Sequence, residues 1–165
     1  MENSKHNYFK PDFIGIGAPR CGTTWIYDCL SAHPDICTSD IKETNFFKNR
    51  FEEVDSLKKY EDHFSHCTED KIKGEFSSSY FHNKKALKNI KKACPNVKII
   101  LSLRNIVDKL IASFYDRNRH KAKLTKEDFN NFFEERFFGK EIDFYSPKVE
   151  FILNTFERKQ LHVII

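Results

Sequence analysis

The sequence predicts an α/β fold, three-layer α/β/α with a central parallel sheet. Three observations lead there. Short apolar runs, FIGIG near the start and VKIILSL further on, read as strands buried on both faces, the habit of parallel sheets. Between them lie stretches whose apolar residues recur at helical spacing. Strands and helices alternate in units of roughly 25 to 40 residues, the rhythm of helical crossovers linking parallel neighbours.

Taken in order, Met1 to Lys10 is polar and is expected to fray, with Pro11 marking entry to the fold. Residues 1–11 are therefore read as a flexible tail and 12–165 as one domain. Phe13 to Gly17 is a strand bounded by glycine, and Thr23 to Ala32 sets Trp25, Ile26, Cys29 and Leu30 on one helical face. Ile36 to Ser39 is a second short strand. Phe51 to His66, with Leu57, Tyr60 and Phe64 at helical spacing, is expected to be one helix. A strand around Ile72 to Phe76 runs into three serines. Asn83 to Ala93 carries Leu87 and Ile90 among many lysines and closes at Pro95, as a solvated crossover helix would. Val97 to Leu103 is the strongest strand, β-branched and uncharged after Lys98. Ile106 to Arg119 repeats Val107, Leu110, Ile111 and Phe114 as a helix, and Lys123 to Phe138 continues as a charged, Phe-rich segment. Pro147 to Arg158 is helical, and Leu161 to Ile165 begins a further strand, within which the chain stops.

Composition narrows the class. A chain of 165 residues, 39% apolar, can bury ~70% of the surface its unfolded form exposes. Seventeen Phe and six Tyr against one Met and one Trp forecast an aromatic core. With 32% charged residues and a mean hydropathy of -0.62, no segment approaches the ~20 apolar residues that span a bilayer. A net charge of +4 favours anionic ligands, and no nucleic-acid recognition signature accompanies it. The five cysteines, Cys21, Cys29, Cys37, Cys67 and Cys94, contain no C-x-x-C pair and are read as reduced thiols of a cytoplasmic protein. MENSKHNYFKPDF lacks the apolar stretch of a signal peptide. None of the seven histidines pairs with a cysteine at metal-ligand spacing, so no metal site is expected.

The chemistry concentrates in DFIGIGAPRCGTTWIYDCLSAH, from Asp12 to His33. Gly17 and Gly22 stand five apart between a strand and a helix, the setting of the phosphate loop G-x-x-x-x-G-K-[ST], which makes the fold P-loop NTPase-like. Thr23 stands where that motif has lysine. Amides at the helix start attract an anion even so, Arg20 would supply a cation, and Thr23 and Thr24 would add hydroxyl donors. The lysine that serves the β- and γ-phosphates of ATP is missing. Taken alone, the loop is open to another reading, a strand-to-helix turn that merely uses glycine.

Further segments carry a resemblance. APRCGTTW resembles the 5′-phosphosulfate loop of the sulfotransferases that use 3′-phosphoadenosine 5′-phosphosulfate (PAPS), in which Lys or Arg and one small residue precede Gly-Thr-Thr, often with Trp. KIILSLRN followed by VDKLIASFY resembles the family's 3′-phosphate segment. HPDI, KETNFF and KGEFSSSYF between them resemble segments of its bacterial, heparan and tyrosyl-protein branches. The likeness is close from Phe13 to Tyr115 and loose beyond. Family members continue past a segment like LHVII, so the resemblance implies an incomplete carboxyl-terminal part.

The resemblance implies roles. Arg20, Cys21, Gly22, Thr23 and Thr24 would bind the 5′-phosphosulfate, Arg20 also stabilising charge on the transferring group, and Trp25 would lie against the adenine unless it belongs to the core. Arg104 would grip the 3′-phosphate through its forked guanidinium; the alternative is a strand-end arginine in a surface ion pair. The family's helix serine falls on Ala112, and Ser113 lies one residue on, displaced by ~100° around the helix. Either the helix start shifts by one or the hydroxyl contact is lost. Glu43 falls on the heparan-type base, with Lys42 beside it for the bridging oxygen or the acceptor. Glu75 is a partner of the site, a second acid near the acceptor, or part of a satisfied turn.

The expected function is transfer of a sulfuryl group from PAPS, leaving 3′-phosphoadenosine 5′-phosphate (PAP), to a hydroxyl or amine of a small molecule or glycan. A P-loop nucleotide or small-molecule kinase and a catalytically incomplete nucleotide-binding fragment are the alternatives.

Overall fold

The computed structural model describes residues 8–138 and 145–165; of the tail expected over 1–11, residues 1–7 lie outside them, while Phe9 stacks on Phe64 and Pro11 is buried. The apolar run Phe13–Gly17 forms β1, buried at every position. That burial follows from its central place, between β3 (Ile72–Phe76) and β4 (Lys98–Ser102), in a five-stranded sheet ordered β2-β3-β1-β4-β5. All four pairings are parallel. From β1 the chain runs through α1 (Thr23–Ser31) to the edge strand β2 (Ile36–Thr38), and returns to place β3 between β2 and β1. It then crosses through α4 (Lys84–Ala93) to β4 on the other side of β1. After α5 (Ile106–Arg117), α6 (Lys126–Phe138) and α7 (Tyr145–Thr155) it ends in β5 (Leu161–Ile164) at the far edge. The carboxyl ends of β1, β3 and β4 therefore stand side by side, where open α/β sheets bind ligands.

Helices cover both faces, so the layers are α/β/α. On one face α1 packs Ile26, with Tyr27 and Leu30, over Phe13 and Phe76. On the other lies the larger core, in which α4 contributes Ala86, Leu87, Ile90 and Ala93 and α7 contributes Ile152. The aromatic composition is spent here: Phe46, Phe47, Tyr60 and Phe64 stack edge to face around one another.

Two crossed pairs set the register of β1 on β3. Phe13 lies opposite Gly74, and Gly15 opposite Phe76. A Cβ on Gly15 would stand 2.0 Å from the Phe76 ring, and one on Gly74 would stand 2.4 Å from the Phe13 ring. Each glycine is thus the slot for its neighbour's ring, and a shift by two residues would set the Phe13 ring against that of Phe76.

Three expectations are corrected. The single helix over Phe51 to His66 is instead a 3-10 turn, Val54–Ser56, a short α3 (Leu57–Glu61) and a second 3-10 turn, Asp62–Phe64. The Ser56 hydroxyl donates to the Glu53 carbonyl at 2.6 Å, a local bond that competes with continuous helix. Leu57, Tyr60 and Phe64 are nonetheless all buried. The thiols are not all reduced: Cys37 in β2 and Cys67, just before β3, form a disulfide with Cα atoms 5.8 Å apart. They meet because β2 and β3 are parallel neighbours, which no cysteine spacing announces. Finally, a histidine does meet cysteine: ligand atoms of Cys37, His66 and Cys67 lie within 4.8 Å of one another, although the two sulfurs are joined to each other. Among the elements not foreseen are the four-residue α2 (Phe46–Asn49), which begins in KETNFF, and the 3-10 helix Ser78–His82. Among the described residues no helix is long and apolar enough to cross a membrane.

Candidate active site

The loop after β1 opens into α1 through Gly22, whose φ of +76 suits a residue without a Cβ. Gly22 stands at the N-cap and offers no side chain to the helix amides. The first intrahelical bond runs from the Ile26 N–H to the Gly22 carbonyl at 3.1 Å, so the preceding amides have no partner within the helix. Together with the helix dipole they make a site for an anion. From beneath, β4 holds the loop: the Ser102 hydroxyl donates to the Cys21 carbonyl, and the Ala18 N–H donates to the Ser102 carbonyl at 2.7 Å. Tyr145 is a second strut, with its hydroxyl 3.3 Å from Cys21 Sγ and donating to the Arg104 carbonyl at 2.9 Å.

That loop walls a cavity of about 500 Å³ lined by Pro19, Arg20, Gly22, Thr23, Thr24, Lys42, Glu43, Ser78, Arg104 and Ala112. Seven of the expected site residues, Arg20, Gly22, Thr23, Thr24, Lys42, Glu43 and Arg104, are brought together there from three separate stretches of sequence. Three are not. Cys21 turns its side chain into the core. Trp25 is 71% exposed and outside the lining. Ser113 donates its hydroxyl to the Lys109 carbonyl at 2.8 Å, while Ala112 faces the cavity. The phase of α5 explains this: Asn105 caps it by accepting the Val107 N–H at 2.9 Å, the helix starts at Ile106, and the serine comes one position late.

Glu43 is held in an unusual pose. Its φ is +68, and that of Asn45 is +51, a left-handed region costing a non-glycine residue on the order of 1 kcal/mol. The Glu43 N–H donates to the Phe76 carbonyl at 2.8 Å, anchoring the segment to the end of β3. Its Oε1 accepts from Ser78 Oγ at 2.6 Å and from Lys42 Nζ at 2.9 Å. Burial pushes this carboxyl up, but the hydrogen bonds from Ser78 and Lys42 and the lysine charge outweigh burial and leave it below the ordinary carboxylate value. Glu43 is thus an ionised acceptor at the cavity wall. Ser78 was not foreseen as its partner; the signal was the run of three serines after β3.

The two arginines are about half exposed and each has a carboxylate beside it. Arg20 pairs with Asp116 of α5, and Arg104 Nε, just ahead of that helix, lies 3.9 Å from Asp108 in its first turn. Nothing in the sequence pointed to Asp116, 96 residues from its partner. Glu75 does not line the cavity. It lies fully buried beneath the Glu43 segment, where burial raises its carboxyl and hydrogen bonds from Thr44, Ser77, Tyr80 and Tyr60 partly offset the rise.

An unpartnered helix start, two threonines and two guanidinium groups around a cavity within the size range of small-molecule sites fit a nucleotide bearing anionic groups at both ends. Comparison with known proteins agrees. The model of the sulfotransferase domain matches residues 10–164. The membrane-associated sulfotransferase kil1 of Dictyostelium discoideum is 29% identical over 108 residues, 64% of this chain and 22% of that protein. Carbohydrate sulfotransferase 15 of Homo sapiens is 45% identical over 40 residues, 24% of this chain and 7% of its own length. The chain thus matches less than a quarter of the length of these relatives. A crystal structure of a sulfotransferase from Alicyclobacillus acidocaldarius superposes with a TM-score of 0.73 at 26% identity, over 94% of this chain and 73% of that one.

Proposed function

Because the chain belongs to the sulfotransferase domain family, whose members take the sulfuryl group from PAPS, we propose that it transfers that group to a hydroxyl or amine on a carbohydrate. The observation that carries this reading is the convergence, in one cavity, of the uncapped α1 start, Arg20, Arg104 and the Lys42–Glu43 pair. The acceptor class rests on the short likeness to a carbohydrate sulfotransferase and on the positive net charge, which suits an anionic glycan.

In this reading the loop amides and the Thr23 and Thr24 hydroxyls hold the 5′ end of the donor, and Arg104 pairs with its 3′-phosphate. Bound there, PAPS supplies the activated sulfuryl group. Arg20, released from Asp116, offsets charge spreading over the sulfuryl oxygens, a role for pre-placed donors. Glu43 accepts the proton that the acceptor gives up, which an ionised carboxylate within reach can do. Lys42, already on Glu43, stands beside the leaving oxygen or the acceptor. A P-loop kinase is the second class, disfavoured by Thr23 in the lysine position and by Arg104 where an acid would follow β4. The disulfide suits an oxidising compartment, which weighs against the cytoplasmic setting expected from cysteine count.

The test is thermal stabilisation by PAP against ATP with Mg²⁺. PAP is expected to raise the melting temperature and ATP with Mg²⁺ to leave it unchanged; a rise with ATP alone would overturn the reading.

A further inference from the structure

We propose that Glu75 is a positioning residue for Glu43, holding the backbone that presents the base without touching substrate; this rests on the function proposed above. Its two oxygens accept four hydroxyls. Thr44 donates at 2.5 Å and Ser77 at 2.7 Å to Oε2, and Tyr80 at 3.0 Å and Tyr60 at 3.1 Å to Oε1. Three of these hydroxyl oxygens then accept three successive backbone amides, beginning two residues after Glu43. The Asn45 N–H donates to Ser77 Oγ at 3.0 Å, the Phe46 N–H to Thr44 Oγ1 at 3.4 Å, and the Phe47 N–H to Tyr80 OH at 3.2 Å.

The direction of every bond matters. A hydroxyl has one proton; by drawing those protons, the carboxylate leaves the oxygen lone pairs facing the amides. The amides are the first donors of α2, which its four residues leave without helical partners. The relay thus replaces the missing partners of a segment whose residues Glu43 and Asn45 sit in left-handed backbone. Other fastenings of the segment include the Glu43 N–H on the Phe76 carbonyl, the Ser78 hydroxyl on the Glu43 carboxylate, the Ser79 hydroxyl on the Asn45 side chain and the Asn89 side-chain amide on the Phe47 carbonyl. Glutamine at position 75 would keep the shape but offer one acceptor oxygen and two donors. At least one hydroxyl would then meet an N–H, turn its proton elsewhere, and face an amide with a donor. This fully buried carboxylate (0% exposed) draws its donors from three places, Thr44 beside Glu43, Ser77 and Tyr80 after β3, and Tyr60 in α3, and three of the four hydroxyls hold the segment that carries the base.

The experiment compares the full chain with Glu75→Gln, Glu43→Gln and the double variant. PAP release from PAPS is measured with partially desulfated heparan and chondroitin chains as acceptors, alongside PAP affinity and amide hydrogen exchange. Glu75→Gln is expected to slow PAP release at least tenfold, to change PAP affinity by less than threefold, and to speed exchange at Asn45, Phe46 and Phe47. The double variant is expected to be no slower than Glu43→Gln, since Glu75 acts through Glu43. Should Glu75→Gln not fold, Thr44→Val, which keeps the shape and removes one hydroxyl, is expected to speed exchange at Phe46 and slow release. A wild-type rate in Glu75→Gln, unchanged exchange, or multiplicative losses in the double variant would overturn the proposal. If the unaltered chain releases no PAP, the activity reading fails by itself, and the exchange measurement still decides whether Glu75 holds the segment.

Discussion

Glu43 gathers most of the chemistry of the site into one side chain. Burial works against its charge, yet Ser78 and Lys42 more than compensate, so its carboxyl titrates below the ordinary 4.5. For a depressed carboxylate the folded state binds fewer protons than the unfolded state as pH falls through this range. The stability it adds is present above the ordinary value and is lost as pH drops through the folded one. The same titration governs the proposed base. PAP release is expected to stay level across neutral pH and to fall only below about pH 4.5, and Glu43→Gln should remove that acid limb along with most of the rate. An acid limb near neutrality would mean that another group takes the proton. Arg20 illustrates the opposite case at the same scale: it is 44% exposed and bound to Asp116, so it must exchange one anion for another before it can help transfer.

Among the elements, β1 and β3 are the pair on which the site depends, because the loop leaves one and the Ser78 turn leaves the other. Their register is set by reciprocal glycine and phenylalanine pairs, with the Gly15 slot closed by a ring that has no exposed surface. Gly15→Ala is expected to lower unfolding free energy by about 1–3 kcal/mol, the range for overpacking a filled core. The measurement is the urea midpoint, and a midpoint equal to the parent's would show that the Phe76 ring can move aside. Helix α5 makes a related point. Its start, fixed by the Asn105 cap, points Ala112 rather than Ser113 at the cavity, so the phase of one helix decides which residue meets a ligand.

For the whole molecule, a parallel sheet with two helical layers places residues from the start, middle and end of the chain at one rim. Far from that rim, the Cys37–Cys67 bond ties β2 to the approach to β3 and closes a loop with a sequence separation of 30. Neither cysteine lines the cavity. Reduction, or Cys37→Ser, is expected to lower stability by about 3 kcal/mol through the freed unfolded chain, read from denaturation with and without dithiothreitol. PAP affinity should change little. Equal midpoints in the two conditions would show that the bond contributes nothing.

How legible the protein was follows the range of the forces involved. β1, α1, β2, β3, α4, β4, α5 and β5 could all be read because burial patterns and caps are local. The loop Gly17–Gly22 could be named from its own spacing, whereas Arg104 and Glu43 could be named only through the family resemblance. The stretch Phe51 to His66 could not, because its buried spacing is shared by a mixture of α and 3-10 turns. Nor could Ser78 on Glu43, Asp116 on Arg20, Tyr145 across to Cys21, or the disulfide. The sequence alone determined the layers, the cradle and the family resemblance. Only the tertiary structure decided that Ala112 rather than Ser113 faces the cavity, which cysteines meet and what holds Glu43, since strand order and helix phase bring together groups that no local pattern relates.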